Sequence, residues 1–235
     1  MPPSFPESED TDVLLKELKE ISNRYSSLNQ SNQVTAKSSY ENKAKDKELH
    51  TENKFLDQTN ENSNLNQYWY SKTTIDTLCA AIRESCAISG GKRVAFLSTP
   101  SLFFSLSDDE RESCALFDFD RSWSNLPGYH FYDFNEPSCI ADYCRGKFDL
   151  VVIDPPFISE SVWKLYAVSA KLLLKSGASH VIATTVDENA HLMKSLFGCQ
   201  PALFRPSIPH LVYQYSAFVN FSCEILAKKN IELKD

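Results

Sequence analysis

Positive charge is scarce in this 235-residue sequence, which has 24 Lys and Arg residues against 31 Asp and Glu residues and a formal net charge of -7. Proteins that hold a nucleic-acid backbone usually present a basic face. We therefore expect no nucleic-acid partner. A local basic patch stays open as an alternative, because net charge does not describe how charge is distributed.

Long apolar runs are also missing. No window approaches the roughly 18 apolar residues of a membrane-spanning helix. The chain opens with Met1-Pro2-Pro3-Ser4 and then acidic residues, instead of the basic and apolar regions of a secretory leader. These absences predict a soluble, cytoplasmic protein without a membrane partner.

The cysteines lack the spacing of a metal site. The seven cysteines include no Cys-x-x-Cys pair and no histidine spacing typical of zinc. We therefore predict no metal ligands. An odd number of scattered thiols is typical of reduced cysteines in a cytosolic or nuclear protein.

What the chain does contain is a buried strand that ends in an acid and two prolines. Leu150–Ile153 is a continuous apolar run, as expected for a strand buried on both faces of a mostly parallel sheet. Pro155 and Pro156 cannot donate ladder hydrogen bonds, so the strand must end at Asp154. Phe157 follows directly. Since open α/β sheets bind ligands at the carboxyl ends of their strands, this turn is the candidate site.

Strand and helix patterns alternate through the rest of the chain. Strand patterns occur at residues 94–97, 115–120, 130–135, 150–153 and 180–185, with helical patterns between them, and residues 202–204 and 215–221 form a closing antiparallel pair. The predicted fold is therefore α/β, a doubly wound, Rossmann-like sheet with a C-terminal antiparallel hairpin.

One domain preceded by an extension is expected. Residues 1–65 form an N-terminal extension with one amphipathic helix, near residues 10–28, and a mostly disordered polar linker at residues 30–64. Residues 66–235 form the α/β domain, and the protein is expected to be a monomer.

Acidic and amide side chains follow the second and third strands. In a Rossmann-type site, a carboxylate after the second strand accepts hydrogen bonds from the ribose hydroxyls, and either Asp118 or Asp120 fits this role. Both could equally be solvated strand-end residues. Asp133 and Asn135 are placed to meet an adenine edge.

Several stretches match one family in the right order. They are QYWYS at 67–71, DFD at 118–120, FYDFN at 131–135, DPPF at 154–157 and FVNF at 218–221. Together they resemble the eukaryotic lysine methyltransferases of translation elongation factor 1-alpha, which were once grouped by name with N6-adenine DNA methyltransferases. The resemblance covers about residues 66–225 and implies a class I methyltransferase fold.

The resemblance implies methyl transfer from S-adenosylmethionine to a lysine ε-amine of the elongation factor. Asp154 and the Pro155 carbonyl are expected to accept hydrogens from the amine and aim its lone pair at the methyl group. Phe157 would pack against the lysine stem or the methyl centre, and Tyr70 would wall the same channel.

The same resemblance implies a cofactor site at the strand ends. Such enzymes usually have a glycine-rich turn after the first strand, where this chain has Ser98, Thr99 and Pro100. These small residues and the proline are expected to take over that role. Asp154 is also expected to contact the cofactor.

Two alternatives stay open. An N6-adenine methyltransferase acting on DNA or RNA would flip out its base, and Tyr70 and Phe157 are suitable for stacking on it. A non-catalytic scaffold with a methyltransferase fold would explain the missing glycine-rich turn.

Overall fold

A computed structural model describes residues 53–177 and 180–233. These residues lie within one compact unit, Asn53–Asp235. The amphipathic helix predicted near residues 10–28 and the linker up to residue 52 fall outside the described residues. In the part of the chain that the structure describes, none of the helices has the length and apolarity needed to cross a membrane.

One sheet of seven strands organises the described residues. The strands are β1 (Val94–Leu97), β2 (Ala115–Asp118), β3 (Tyr129–Phe131), β4 (Leu150–Ile153), β5 (His180–Val186), β6 (Gln200–Pro201) and β7 (Tyr215–Val219). Their order in the sheet is β3-β2-β1-β4-β5-β7-β6, and the first five strands in that order pair in parallel, whereas β7 runs antiparallel to both β5 and β6. The predicted α/β, Rossmann-like sheet is confirmed.

Helices cover both faces of the sheet, because its central strands are apolar on both sides. Ala95 and Leu97 of β1 belong to one buried cluster, and Val94 and Phe96 belong to the other. The helices are α1 (Lys54–Gln58), α2 (Lys72–Ser89), α3 (Pro100–Phe103), α4 (Asp108–Arg111), α5 (Glu160–Leu173) and α6 (Ala190–Phe197). The first cluster includes residues of α5 and α6, and the second includes residues of α2 and α3.

The long helix α2 begins and ends where the sequence indicates. Ser71 is its N-cap residue, and the Ser71 hydroxyl accepts the Thr74 N–H. Gly90 follows the helix in a left-handed conformation with φ 66°. This start matters for the site, because it fixes the chain that immediately precedes Ser71.

The second and third strands are shorter than predicted. β2 ends at Asp118, because the chain turns and the Asp120 N–H bonds the Asp118 carboxylate instead of a neighbouring strand. β3 ends at Phe131, whose side chain is 41% exposed. Tyr132 is buried in its place.

The closing antiparallel pair is confirmed, but its first strand lies earlier than predicted. β6 is Gln200–Pro201 rather than residues 202–204. Ala202 N–H still donates to the Ala217 carbonyl, at 2.8 Å. Phe204 N–H then donates to the Leu226 carbonyl, so the chain has left the sheet for the C-terminal segment.

Part of the predicted linker is folded. Residues 54–58 form α1, and the Phe55 side chain is buried. The Phe55 ring lies 5.1 Å from the ring of Trp69 and 5.8 Å from that of Phe104. A single aromatic residue with two aromatic partners is enough to order this short polar stretch.

Candidate active site

The turn after β4 places Asp154 at the carboxyl edge of the sheet. The Asp154 N–H donates to the Leu97 carbonyl at 3.2 Å, which continues the pairing with β1 by one residue. Pro155 is buried, and the Asn66 side-chain amide donates to the Pro156 carbonyl. No donor within residues 53–177 and 180–233 reaches the Pro155 carbonyl, so this acceptor is available to a ligand.

Asp154 is held by the Tyr70 hydroxyl, which is itself held by Thr184. The Tyr70 hydroxyl donates to Asp154 Oδ2 at 2.6 Å, and the same hydroxyl lies 2.6 Å from Thr184 Oγ1 of β5. Tyr70 and Thr184 are each 2% exposed, whereas Asp154 is half-buried. Two rigid, buried hydroxyl groups therefore orient a carboxylate that keeps some access to solvent.

Burial sets the ionisation of this pair. It raises the pKa of Asp154 to about 7, while the hydrogen bonds from Tyr70 and Thr184 act in the opposite direction. Burial, together with the charge of Asp154, raises the pKa of Tyr70 well above its ordinary value. Tyr70 therefore stays a neutral donor, and Asp154 changes its charge near neutral pH.

A row of aromatic rings connects the turn at residues 154–157 to the turn after β1. Phe157 is 45% exposed, and its ring lies 6.2 Å from the ring of Phe134. Phe134 stacks on Tyr166 at 5.9 Å, and the Tyr166 hydroxyl lies 2.6 Å from Ser98 Oγ. The predicted catalytic residue Phe157 and the predicted cofactor residue Ser98 are thus joined through packed rings.

The turn after β1 achieves with serine a conformation that usually requires glycine. Ser98 has φ 56°, in the left-handed region, which costs an L-residue roughly 1–2 kcal/mol. Its N–H donates to the Phe117 carbonyl at 2.9 Å, and its hydroxyl contacts Tyr166. These two bonds offset the cost, so the missing glycine-rich turn does not prevent a tight turn here.

Thr99 carries a hydroxyl group without a partner. Thr99 precedes α3, whose first residue is Pro100, but its side chain makes no capping hydrogen bond. Among the described residues, Thr99 Oγ1 is buried and has no hydrogen-bond partner. Leaving such a group unpaired costs about 1–3 kcal/mol, so a buried orphan beside a candidate site fits a ligand that completes it.

Asp118, the last residue of β2, and Asp120, two residues later, have different environments. Asp118 is 6% exposed, and burial raises its pKa to about 7 even though it accepts the Asp120 N–H at 2.8 Å. Burial also raises the pKa of Asp120, but hydrogen bonds from Ser122 and Gln67 outweigh it, so this pKa lies below its ordinary value. Asp120 is therefore the ionised member of the pair, and Gln67 Nε2 lies 3.0 Å from its Oδ2.

Asp133 and Asn135 form a closed turn after β3. Asp133 Oδ1 accepts both the backbone N–H of Asn135, at 2.9 Å, and its side-chain amide, at 2.8 Å. Asp133 also lines a cavity of about 240 Å³ together with Phe131 and Tyr143. Their predicted contact with an adenine edge stays a prediction.

Sequence reasoning missed three contacts that complete the site. Thr184 has the pattern of an ordinary buried strand residue, so nothing marks it as a partner of Tyr70. Asn66 and Gln67 bond Pro156 and Asp120 across the site. Gln67 is part of the QYWYS stretch that carries the family resemblance, so the sequence does mark this residue, but it does not indicate that Asp120 is its partner.

Comparison with known proteins agrees with this geometry. A family model described as probable N6-adenine methyltransferase matches residues 61–223, which is more than half of the chain. EEF1A lysine methyltransferase 1 of Danio rerio is 29% identical over 171 residues, covering 69% of this chain and 100% of that protein. Protein-lysine N-methyltransferase EFM5 of Saccharomyces cerevisiae is 34% identical over 118 residues, or 47% of each chain. A protein-lysine N-methyltransferase of Dictyostelium discoideum is 27% identical over 190 residues, covering 79% of this chain and 88% of that protein.

The matched region contains the Asp-Pro-Pro-Phe turn, Tyr70 and the strand ends described above. The resemblance predicted from the motifs is confirmed. This chain belongs to the probable N6-adenine methyltransferase family and is a methyltransferase related to protein-lysine N-methyltransferases.

Proposed function

We propose that this protein transfers a methyl group from S-adenosylmethionine to a lysine ε-amine of translation elongation factor 1-alpha. The observation that carries the proposal is that Asp154, oriented by Tyr70, lies next to the Pro155 carbonyl, which accepts no hydrogen bond from the described residues. Two such acceptors side by side suit an amine. The names of the relatives from Danio rerio and Saccharomyces cerevisiae support a lysine of a protein as the methyl acceptor.

Lysine is a poor nucleophile until it loses a proton. With a reference pKa near 10.4, only roughly one lysine in a thousand is neutral at about pH 7.4, which costs roughly 4 kcal/mol. A site that methylates lysine must therefore help to remove a proton and then fix the direction of the lone pair.

Asp154 is suited to the first task. Passing a proton from a lysine ammonium to an ordinary aspartate would cost about 9 kcal/mol, from the difference between the reference pKa values. With the pKa of Asp154 raised to about 7, that cost falls to about 5 kcal/mol. Burial thus makes Asp154 a better proton acceptor than a solvated aspartate.

Asp154 and Pro155 are together suited to the second task. Once Asp154 has passed that proton to solvent, its carboxylate is ionised again; since Tyr70 bonds Oδ2, Oδ1 can accept one amine hydrogen while the Pro155 carbonyl accepts the other. With both hydrogens held, the remaining lone pair of the amine has a fixed direction. Phe157 is exposed enough to pack against the lysine stem.

The bound cofactor supplies the electrophilic methyl group. Its ribose would be held by Asp120, the ionised acid after β2, or by Asp118. Its adenine would meet Asp133 and Asn135. The turn at residues 98–100 would hold the methionine part, and Thr99 Oγ1 is the buried group there that still lacks a partner.

The proposal also covers the location and the oligomeric state of the protein. All seven cysteines are unpaired, which is typical of a reducing compartment and supports a cytoplasmic location. A methyltransferase site built within one chain needs no second copy, so the enzyme is proposed to act as a monomer.

The direct test is an incubation of the full-length protein with purified elongation factor 1-alpha and isotopically labelled S-adenosylmethionine. Peptide mass spectrometry should find label on a lysine of the elongation factor. Asp154→Ala should abolish transfer and still bind S-adenosylhomocysteine in calorimetry. Unchanged turnover by Asp154→Ala would contradict the assigned role.

A second candidate is methylation of an adenine amine. The description of the family and the 45% exposed ring of Phe157, which could stack on a base, favour it. Adenine-containing DNA and RNA oligonucleotides should therefore be offered in parallel. Label on an oligonucleotide and none on the protein would replace the proposal, and failure to bind S-adenosylhomocysteine would favour a scaffold.

A further inference from the structure

We infer that Gln67 is a positioning residue, which couples occupation of the cofactor site at Asp120 to the placement of Tyr70 against Asp154. The inference rests on the proposed function and deepens it. It means that a bound cofactor stabilises the arrangement of Tyr70 and Asp154 that receives the amine.

Residues 66–70, which we call the bridging segment, contact both halves of the site. Gln67 Nε2 donates to Asp120 Oδ2 at 3.0 Å, at the end of β2. Three residues later, the Tyr70 hydroxyl donates to Asp154 at 2.6 Å, at the end of β4. Asn66 bonds the Pro156 carbonyl next to it. A displacement of the bridging segment therefore reaches the cofactor acid and the catalytic acid together.

The C-terminal half of the bridging segment is anchored independently of the site. Trp69 N–H donates to Glu61 Oε1 at 2.8 Å, and Trp69 Nε1 donates to the Thr59 carbonyl at 3.1 Å. Directly after the bridging segment, the Ser71 amide donates to the Ser207 carbonyl at 2.9 Å. These hydrogen bonds stiffen the bridging segment around Trp69, so Gln67 and Tyr70, on either side of it, open and close with it as one unit.

Asp120 is well placed to pass on the effect of a bound ribose. Its Oδ1 accepts the Ser122 N–H at 2.9 Å, and its Oδ2 accepts Gln67. Each oxygen keeps a free lone pair for a ribose hydroxyl. A ligand that fixes this carboxylate also fixes the acceptor of Gln67, and by linkage the bridging segment must in turn favour the bound ligand.

Two variants separate the hydrogen bond of Gln67 from the bulk of its side chain, and a third serves as the control. Gln67→Ala removes both, whereas Gln67→Glu keeps the bulk and places a second negative charge beside the ionised Asp120. A role in packing alone would be preserved by Gln67→Glu, but the coupling would be lost in both. Asn64→Ala, at an exposed neighbouring position, is the matched control.

The test is hydrogen–deuterium exchange of peptides covering residues 61–71, with and without S-adenosylhomocysteine. In the unaltered protein, ligand should slow exchange of the Trp69 and Ser71 amides at least about 5-fold. This protection should persist in Asn64→Ala and be lost in Gln67→Ala and Gln67→Glu at saturating ligand, with saturation checked by calorimetry. Equal protection in Gln67→Ala, or none in the unaltered protein with ligand bound, overturns the inference.

The exchange experiment uses no methyl acceptor, so it separates the two proposals. If the protection pattern holds and the elongation factor gains no label, the substrate is wrong and the coupling stands. If ligand binds without protection while the elongation factor is methylated, the coupling is wrong and the function stands. If the unaltered protein does not bind S-adenosylhomocysteine, both the proposed function and the coupling are overturned.

Discussion

Tyr70 donates a 2.6 Å hydrogen bond to Asp154, although 84 positions separate the two residues in the chain. Tyr70 precedes α2, and Asp154 follows β4, so the bond closes the site across the edge of the sheet. Because the hydrogen bond favours the charged carboxylate, it opposes the effect of burial on the pKa of Asp154. The pH dependence of the enzyme should therefore report on Tyr70.

The first prediction concerns Tyr70→Phe. Without the hydroxyl, the pKa of Asp154 should rise above about 7, because a bond that stabilised the charged form is gone. If the ionised carboxylate is the active form, the rising limb of kcat/KM against pH should move to higher pH by about half a unit or more. Activity at about pH 7 should fall roughly 2-fold for a shift of half a unit, because the ionised fraction of Asp154 falls by that factor. Steady-state kinetics over a pH series measures both.

Two further variants test the origin of that shift. Thr184→Val removes the other hydroxyl that lowers the pKa of Asp154, so the limb should move in the same direction. Tyr215→Phe makes the same chemical change as Tyr70→Phe at a buried residue without a hydrogen bond to Asp154, and it should leave the midpoint in place. Superimposable profiles for Tyr70→Phe and the unaltered enzyme would exclude the proposed role of the bond.

The second prediction concerns stability and Asp154→Asn. The pKa of Asp154 is raised from its ordinary 3.8 to about 7, so the folded state binds more protons than the unfolded state between these values. The resulting stability is complete below about pH 4 and is lost as the pH rises through about 7. Asn cannot ionise, so Asp154→Asn should be more stable than the unaltered protein near pH 8, by up to about 4 kcal/mol, and similar near pH 4.

Urea unfolding at several pH values measures this difference. Asp142→Asn is the control, since its side chain is 94% exposed and should contribute only a small, constant offset. If the curves for Asp154→Asn and the unaltered protein run parallel from pH 4 to pH 8, burial does not destabilise the charge of Asp154.

The position of the catalytic turn could be predicted because it depends on local rules. A β-branched, apolar run must be buried, and two prolines must end it. Residues 150–153 and Asp154 therefore fell where expected. The same holds for α2, whose limits at Ser71 and Gly90 follow from capping chemistry.

The contacts across the site could not be predicted in the same way. Gln67 and Asp120 are 53 positions apart, and only the packing of α2 and the sheet brings them together. Ser98 is a different case. Its left-handed conformation is held by contacts with Phe117 and Tyr166, and the sequence carries no glycine to reveal it.

The third prediction compares two replacements of Ser98. Alanine and glycine both remove the hydroxyl that contacts Tyr166, but alanine keeps the Cβ atom that disfavours φ 56°. Ser98→Gly should therefore be about 1 kcal/mol more stable than Ser98→Ala in urea unfolding. The same pair of changes at Ser195, an exposed position in α6, should give the reverse order, because glycine weakens helices by about 1 kcal/mol. Equal stability of the two Ser98 variants would mean that the left-handed conformation is not strained.

The last prediction concerns the unpaired hydroxyl of Thr99. Thr99→Val keeps the shape of the side chain and removes a buried group that has no partner among the described residues. Without ligand, the variant should therefore be as stable as the unaltered protein or more stable, by about 1 kcal/mol. If the hydroxyl bonds the cofactor, the affinity for S-adenosylhomocysteine should fall about 5-fold or more, since this is the cost of one lost hydrogen bond.

Calorimetry and urea unfolding on the same samples distinguish these effects. Thr77→Val is the matched control, because the Thr77 hydroxyl donates to the Thr73 carbonyl within α2 at 2.8 Å. It should alter stability slightly and leave ligand affinity unchanged. A Thr99→Val protein that binds S-adenosylhomocysteine as well as the unaltered protein would show that the hydroxyl does not face the cofactor. The turn after β1 would then contribute through the backbone of Ser98 alone.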